Sequence, residues 1–150
     1  MDTEKLLACL NDHKVRYVVI GATAFPVHGY ARATLDIDIF IEPVVENGRR
    51  VMRALSQFGY DLSDISLDDL LEKKILIRQY YLEIDVHPHV AGVDFNEVWE
   101  DRVEEFLGNI KASFAGLSSL IKMKQAANRP KDLEDLKYLQ EIQKSKRKKN

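Results

Sequence analysis

The chain has 150 residues and a mass of 17.3 kDa, with 45% hydrophobic and 31% charged residues. This length fits one domain that folds without disulfides or a structural metal, and the composition excludes collagen-like, disordered and low-complexity chains. The single Cys9 excludes an internal disulfide and indicates a reducing compartment. The acidic N-terminus lacks the features of a signal peptide, and no stretch reaches the roughly 18 apolar residues of a membrane helix. We therefore expect a cytoplasmic protein without membrane contact.

Charge is distributed unevenly along the chain. The formal net charge is −2, but five of the 22 basic residues lie at positions 144–150, so the rest of the chain is distinctly acidic. An acidic body argues against a broad nucleic-acid-binding face. We expect one domain at residues 1–143 and a basic tail at 144–150. A solvated, disordered end is the favoured interpretation of the tail, and contact with phosphate is the other.

Hydrophobic periodicity and turn residues predict an alternating series of helices and strands. In chain order we expect a helix at 3–13, a strand at 15–20, a short helix at 22–30, a strand at 35–41, a helix at 44–58, a loop with a helical turn at 60–73, strands at 75–79 and 80–87, a hairpin at 103–107 and 110–114, and helices at 117–128 and 131–144. Gly59 is placed to end the long helix, and Gly108-Asn109 is typical of a two-residue hairpin turn. The fold class is α/β (α+β): a mixed, twisted sheet with packed helices and a C-terminal helical pair.

Two acidic strands carry the chemically informative pattern. Side chains alternate faces along a strand, so Asp36 and Asp38 point to one side, about 7 Å apart, in an otherwise apolar run. Such carboxylates repel each other unless a cation lies between them. In the second strand Asp85 shares a face with Glu83 and His87, and it completes a three-carboxylate set if the strands are neighbours. Hard oxygen ligands of this kind favour Mg²⁺ or Mn²⁺.

Less specific interpretations stand beside this one. An Asp-x-Asp strand is also typical of an amphipathic edge strand with a solvated face. A zinc site at His87 and His89 lacks enough soft ligands nearby. His28 sits at a helix end, where interaction with the helix dipole explains it. Aromatic residues able to stack on a base are expected to pack instead; these are Trp99, Tyr80 and Tyr81.

The order of these motifs resembles the nucleotidyltransferase fold of the DNA polymerase β superfamily, and within it the small AbiEii-like branch of minimal nucleotidyltransferases. The upstream motifs that carry the resemblance are Gly21, Ala24, His28-Gly29, Arg32-Ala-Thr34 and Asp36-Ile-Asp38. The downstream ones are Lys124, Arg129-Pro-Lys-Asp132 and Asp135. Together the matches cover about residues 15–41, 81–87 and 117–139 in the order of that family.

The resemblance implies roles for individual residues. Asp36 and Asp38 would ligate both metal ions, and Asp85 would bind the catalytic metal and help deprotonate the acceptor hydroxyl. The residues implied to contact the nucleotide are Gly21, Ala22, Thr23, Arg32 and Lys124. Those implied to shape the corner around Lys124 are Arg129, Asp132 and Asp135, while Thr34 orients the loop before Asp36. The family usually has Gly-Gly or Gly-Ser where this chain has Gly21-Ala22, so the hydroxyl is lost and Thr23 is the candidate to replace it.

The activity implied is Mg²⁺- or Mn²⁺-dependent transfer of a nucleoside monophosphate from an NTP to a hydroxyl acceptor: an RNA end, a protein side chain or a small molecule. A toxin–antitoxin component fits this branch. Two alternatives stay open: a catalytically weak nucleotide- or partner-binding module on the same fold, and a metal-dependent phosphohydrolase or nuclease. A homodimer that covers an open sheet edge, or a cognate protein, is the expected kind of partner.

Overall fold

The computed structural model describes residues 2–30 and 36–149, which form a mixed sheet with helices packed against it. In chain order the elements are α1 (Asp2–Asp12), β1 (Tyr17–Ile20), a 3₁₀ helix (Gly21–His28), β2 (Asp36–Ile41), α2 (Val45–Phe58), α3 (Leu67–Glu72), β3 (Ile75–Ile77), β4 (Glu83–His87), α4 (Phe95–Glu100), β5 (Val103–Leu107), β6 (Ile110–Phe114), α5 (Leu117–Ala127) and α6 (Pro130–Lys149). The six strands are ordered β3-β4-β2-β1-β6-β5. The predicted fold class is confirmed. Within the described residues no helix has the length and apolarity needed to span a membrane.

Strand β2 lies at the centre of the sheet, antiparallel to β1 and parallel to β4. The register pairs Asp36 with Glu83 and Asp38 with Asp85. The two acidic strands are therefore direct neighbours, and their carboxylates occupy matching positions on one face.

The alternation of β2 separates its apolar side from its acidic side. Ile37, Ile39 and Ile41 are buried in the core, whereas Asp36 and Asp38 are only half-buried on the other face. Further along that acidic face, Phe40 packs edge-to-face on Phe95 with ring centroids 5.3 Å apart. The acidic face of the sheet is therefore covered by packed side chains at Phe40, whereas it is accessible at Asp38.

The C-terminal helical pair forms as predicted. Helix α5 ends at Ala127 and is capped by Asn128, whose φ of +49° reverses the chain. Pro130 then begins α6 at the position where proline is best tolerated. Helix α6 continues to Lys149, which differs from the disordered end expected for residues 144–150. Lysine and arginine are good helix formers, and positive charge is favourable at a helix C-terminus.

Two other differences from the sequence-based expectation concern local chain paths. Strand β4 begins at Glu83 rather than at residue 80, so its antiparallel hairpin with β3 has a longer turn than expected. Helix α4 was not predicted, although Asp94 and Glu97 form a reciprocal capping box at its start. Trp99 in this helix stacks on Phe95, which is packing rather than base recognition.

The 3₁₀ helix is fixed at its end by a buried histidine. His28 is 7% exposed, and its Nε2–H donates to the carbonyl oxygen of Ala115 at 2.8 Å. Burial is the main cause that lowers the pKa of His28 below its ordinary value, and the charge of Lys146 adds to it. The folded protein therefore holds this imidazole neutral.

Stability should depend on the protonation of His28. As pH falls below about 6.5, the unfolded chain binds a proton that the folded chain resists, so the free energy of unfolding decreases. We expect His28→Asn to be less stable than wild type at pH 7 but to lose less between pH 7 and pH 5. Urea titrations at several pH values measure this, with the exposed His89→Asn as the control that keeps the wild-type slope. Equal slopes for wild type and His28→Asn would contradict the assignment.

Candidate active site

A cleft of about 360 Å³ lies between the end of β1, the acidic face of β2 and the C-terminal helical pair. Its lining includes five predicted site residues: Gly21, Ala22, Asp36, Asp38 and Lys124. Four further polar residues of the sequence motifs also line it: His87, Arg129, Asp132 and Asp135. We call this space the carboxylate cleft. The fold thus joins motifs that are about 100 residues apart in the chain.

Asp38 and Asp85 form the centre of the site. The carboxylate Oδ1 of Asp38 accepts a hydrogen bond of 2.8 Å from Nε2 of His87. Oδ1 of Asp85 accepts one of 2.6 Å from Nη1 of Arg78. Asp38, Asp85 and His87 each offer a ligand atom, and these atoms lie within 4.8 Å of one another. Two carboxylates so close together require positive charge, which Arg78 provides in this structure.

Asp36 is paired with a carboxyl group that the sequence analysis did not place in the site. Glu83 lies opposite Asp36 in the register, and hydrogen bonding to Asp36 is the main cause that raises the pKa of Glu83. The guanidinium of Arg78, with Nε 3.1 Å from Oε2 of Glu83, opposes this rise. Arg78 therefore contacts both acidic pairs, Asp36–Glu83 and Asp38–Asp85. It lies in the turn between β3 and β4 and belongs to none of the sequence motifs.

The turn after β1 places backbone directly against Asp38. Gly21 has a φ of +70°, and a Cβ atom at this position would lie 2.7 Å from Oδ2 of Asp38. Thr23 is turned to a different task, because its hydroxyl donates to the backbone carbonyl oxygen of Asp36 at 3.2 Å. This contact fixes the start of β2. Ala22, which lines the cleft, brings no hydroxyl group to it.

Replacing Gly21 by alanine should damage the site more than the fold. The left-handed backbone costs a non-glycine residue about 1–2 kcal/mol, and the new Cβ must also displace Asp38. We expect activity to fall at least about tenfold, since small misplacements of reacting groups have effects of this size. Gly29→Ala is the matched control, because Gly29 has a φ of +93° but nothing within 4 Å of the added Cβ. Gly29→Ala should lose similar stability in urea and keep its activity. Equal losses of activity in Gly21→Ala and Gly29→Ala would contradict a specific role of Gly21 beside Asp38.

Lys124 lies in a largely buried ionic network at the far wall of the cleft. Its Nζ is 3.1 Å from Oδ1 of Asp132 and 3.2 Å from Oδ2 of Asp135. Asp132 also accepts hydrogen bonds from the backbone and guanidinium N–H groups of Arg129. Arg129 first and Lys124 second hold the pKa of Asp132 well below its usual range. The hydroxyl of Tyr30 donates to Asp135 at 3.0 Å, so this network ties the helical pair to the chain that precedes β2.

Some of the predicted residues lie elsewhere. Asp85 stands beside Asp38 but one strand beyond the cleft lining. Arg32 and Thr34 fall outside the described residues. His89 is exposed and lies outside the cluster of potential metal ligands, whereas His87 belongs to it.

Two further cationic residues of the cleft were given no role by the sequence analysis. Lys74 precedes β3 and Lys131 follows Pro130, and both line the carboxylate cleft. Isolated lysines beside turns are common on any surface, so no sequence signal separated Lys74 from the others, whereas Lys131 stands within the Arg129-Pro-Lys-Asp132 motif. For Arg78 the sequence gives a weak indication, because this residue lies shortly before the acidic strand β4, whose carboxylates can form ion pairs with a nearby cation.

The sheet order, the paired acidic strands and the glycine turn beside them define a nucleotidyltransferase fold. The chain belongs to the family described as nucleotidyltransferase of unknown function (DUF6036), whose model matches residues 2–144. No curated protein matches the sequence.

Two solved structures are similar to the chain in fold. The lincosamide antibiotic adenylyltransferase LnuA, solved with lincomycin bound, has a TM-score of 0.62 and 16% sequence identity, covering 94% of this chain and 96% of its own. TM1012 from Thermotoga maritima, an inferred nucleotidyltransferase, has a TM-score of 0.59 and 16% identity, covering 95% and 91%. At this identity the similarity establishes the fold and leaves the substrates open.

Proposed function

We propose that the protein is a divalent-metal-dependent nucleotidyltransferase that moves a nucleoside monophosphate from an NTP to a hydroxyl acceptor. The observation that carries the proposal is the pairing of Asp38 with Asp85 on neighbouring parallel strands, beside a cleft lined by Gly21. The family membership and the fold of LnuA support the same reaction class.

The residues present fit a hard divalent cation. Asp38 and Asp85 place carboxylate oxygens within 4.8 Å of each other, and Asp36 adds a third carboxylate on the same face. In the resting chain Arg78 supplies the positive charge that this group of acids requires. Asp36, Asp38 and Asp85 would hold Mg²⁺ or Mn²⁺, which polarises the α-phosphate and lowers the pKa of an attacking hydroxyl when bound.

The chain's own residues then position the substrates. Gly21 has no side chain in front of Asp38, which leaves room for a phosphate to approach the backbone. Lys74 and Lys131 bring positive charge to the same cleft, where a triphosphate carries negative charge. Lys124 forms ion pairs with Asp132 and Asp135. We therefore assign it two roles, which are to fix the wall of the cleft formed by α5 and α6 and to contact phosphate.

The reaction balances as an in-line displacement. The acceptor oxygen forms a bond to the α-phosphorus, and the bond from that phosphorus to the bridging oxygen breaks. Pyrophosphate leaves with the electron pair. Asp85, which lies beside Asp38, would accept the proton of the acceptor hydroxyl once Arg78 releases its carboxylate.

A second candidate is a nucleotide-binding module with little turnover. It is favoured by two features: Ala22 brings no hydroxyl to the phosphate turn, and Arg78 occupies one oxygen of Asp85. This alternative predicts that NTP binds without transfer.

The acceptor and the biological setting are part of the proposal. RNA ends, protein side chains and small molecules are the three acceptor classes, and the antibiotic-bound LnuA supports the last of them. The proposal includes a toxin–antitoxin role, which follows from the resemblance, and a cytoplasmic location, which the single Cys9 favours. A homodimer or a cognate protein is the partner proposed for an open sheet edge. The edge strands β3 and β5 are the sheet edges that such a partner would cover.

A label-transfer assay tests the activity. Purified protein with Mg²⁺ or Mn²⁺ and each α-³²P-NTP is incubated in turn with total RNA, cell lysate, an antibiotic panel and buffer alone. We expect label on one acceptor class. Binding of NTP without label in any lane would favour the binding module.

A further inference from the structure

His87 is placed on the acidic face by the alternation of β4. It lies two residues after Asp85, so both side chains point to the same side of the sheet. Its Nε2 is 2.8 Å from Oδ1 of Asp38 on the neighbouring strand. The side chain is 16% exposed, and it also lines the carboxylate cleft.

The nitrogen of His87 is directed at the same space as the two carboxylates. One ligand atom from each of Asp38, Asp85 and His87 falls within 4.8 Å of the other two. A cation held by Asp38 and Asp85 therefore has an imidazole nitrogen within reach. In the resting chain the hydrogen bond from His87 to Asp38 fills this position.

A donor set that adds one imidazole nitrogen to carboxylate oxygens does not suit every divalent ion equally. Mg²⁺ prefers oxygen ligands and retains its waters, so it gains little from an imidazole. First-row transition ions accept both carboxylate and imidazole ligands, and Mn²⁺ is the member most compatible with a carboxylate-rich site. An imidazole ligand therefore increases the difference in affinity between Mn²⁺ and Mg²⁺, compared with a site that has carboxylate ligands alone.

We propose that His87 is a ligand of the metal held by Asp38 and Asp85, and that it makes the site select Mn²⁺ over Mg²⁺. This inference rests on the proposed function for the existence of the metal site. It adds a nitrogen ligand to the carboxylates, and the identity of the ion. The competing explanation is that His87 only orients Asp38 through their hydrogen bond.

Pulsed electron paramagnetic resonance on the full chain with Mn²⁺ alone separates the two explanations. A directly bound imidazole gives a ¹⁴N modulation in the spin-echo envelope, which changes in a defined way when the protein is labelled with ¹⁵N-histidine. We expect the modulation in wild type and in His89→Asn, the exposed neighbouring histidine, and its loss in His87→Asn. The comparison of unlabelled and ¹⁵N-histidine-labelled wild type needs no substitution, so the test remains valid even if His87→Asn does not fold.

Binding titrations measure the selectivity. The signal of free Mn²⁺ follows Mn²⁺ binding, and competition by Mg²⁺ gives the affinity for Mg²⁺. We expect His87→Asn to weaken Mn²⁺ at least about tenfold, since even outer contacts of ligands affect affinity by 10–100-fold, and to change Mg²⁺ less than about twofold. His89→Asn should leave both affinities unchanged.

The outcomes also distinguish this inference from the proposed function. Bound Mn²⁺ without nitrogen modulation, or equal losses of both ions in His87→Asn, would overturn the role of His87 and leave nucleotidyl transfer standing. Failure of wild type to bind either ion would overturn both. Transfer activity supported by Mg²⁺ together with absent Mn²⁺ binding would overturn this inference and leave nucleotidyl transfer standing.

Discussion

Replacing Asp38 by asparagine is expected to lower nucleotidyl transfer at least about 100-fold, because removal of outer partners of metal ligands already costs 10–100-fold. Asp38 is the carboxylate shared by the cleft, the Gly21 turn and the pair with Asp85. Asparagine keeps the shape and still accepts the hydrogen bond from His87, so the fold should be preserved. Initial rates of label transfer measure the loss, and circular dichroism checks folding.

The control for this substitution is a carboxylate outside the site. Asp64 is exposed and lies in the loop before α3, so Asp64→Asn should retain wild-type activity. Removing Asp38 also relieves repulsion from Asp85, so stability should be unchanged or slightly higher. Full activity of Asp38→Asn would remove the central residue of the proposed mechanism.

The largest loss of stability is expected for Asp132→Ala. The Asp132 side chain is 1% exposed and accepts from Lys124 and Arg129. Removing one member of a buried ion pair typically costs 3–5 kcal/mol, but Arg129 is largely exposed and Lys124 keeps Asp135. We therefore expect a decrease of about 3 kcal/mol in the free energy of unfolding, measured by urea denaturation at pH 7.

The depressed pKa of Asp132 fixes the sign of the pH dependence. Its contribution is present above the ordinary aspartate pKa of about 4 and is lost as pH falls below that value. The difference between wild type and Asp132→Ala should therefore narrow in acid. The neighbouring Glu134 is exposed on the same helix, and Glu134→Ala should change stability by less than about 0.5 kcal/mol. Similar losses for both variants would show that the ionic network contributes little.

The parts of the fold that the sequence predicted best are those with strong periodicity. The alternation of Asp36 to Ile41 assigned the acidic and apolar faces, which the burial of Ile37 and Ile39 matches. The Gly108-Asn109 pair located the β5–β6 hairpin. These signals are local, because a two-residue period or a left-handed glycine acts within a few residues of the chain.

The parts that escaped prediction depend on contacts between distant segments. Arg78 has no motif of its own, and its position becomes meaningful only when β4 lies beside β2. The clustering of Lys124 with Asp132 required the turn at Asn128 to fold α6 back on α5. Helix α4 is a different case, since its capping box of Asp94 and Glu97 lies within four consecutive residues and is a local signal.

The fate of the individual phosphates of one NTP tests the central claim most directly. Parallel reactions contain α-³²P- or γ-³²P-labelled nucleotide and the acceptor that takes up label. The Asp38→Asn variant is the negative control. We expect the α-label to move to the acceptor while the γ-label leaves as pyrophosphate, and both events to require Asp38. Release of the γ-label as inorganic phosphate, with no α-label on any acceptor, would contradict nucleotidyl transfer and identify a phosphohydrolase instead.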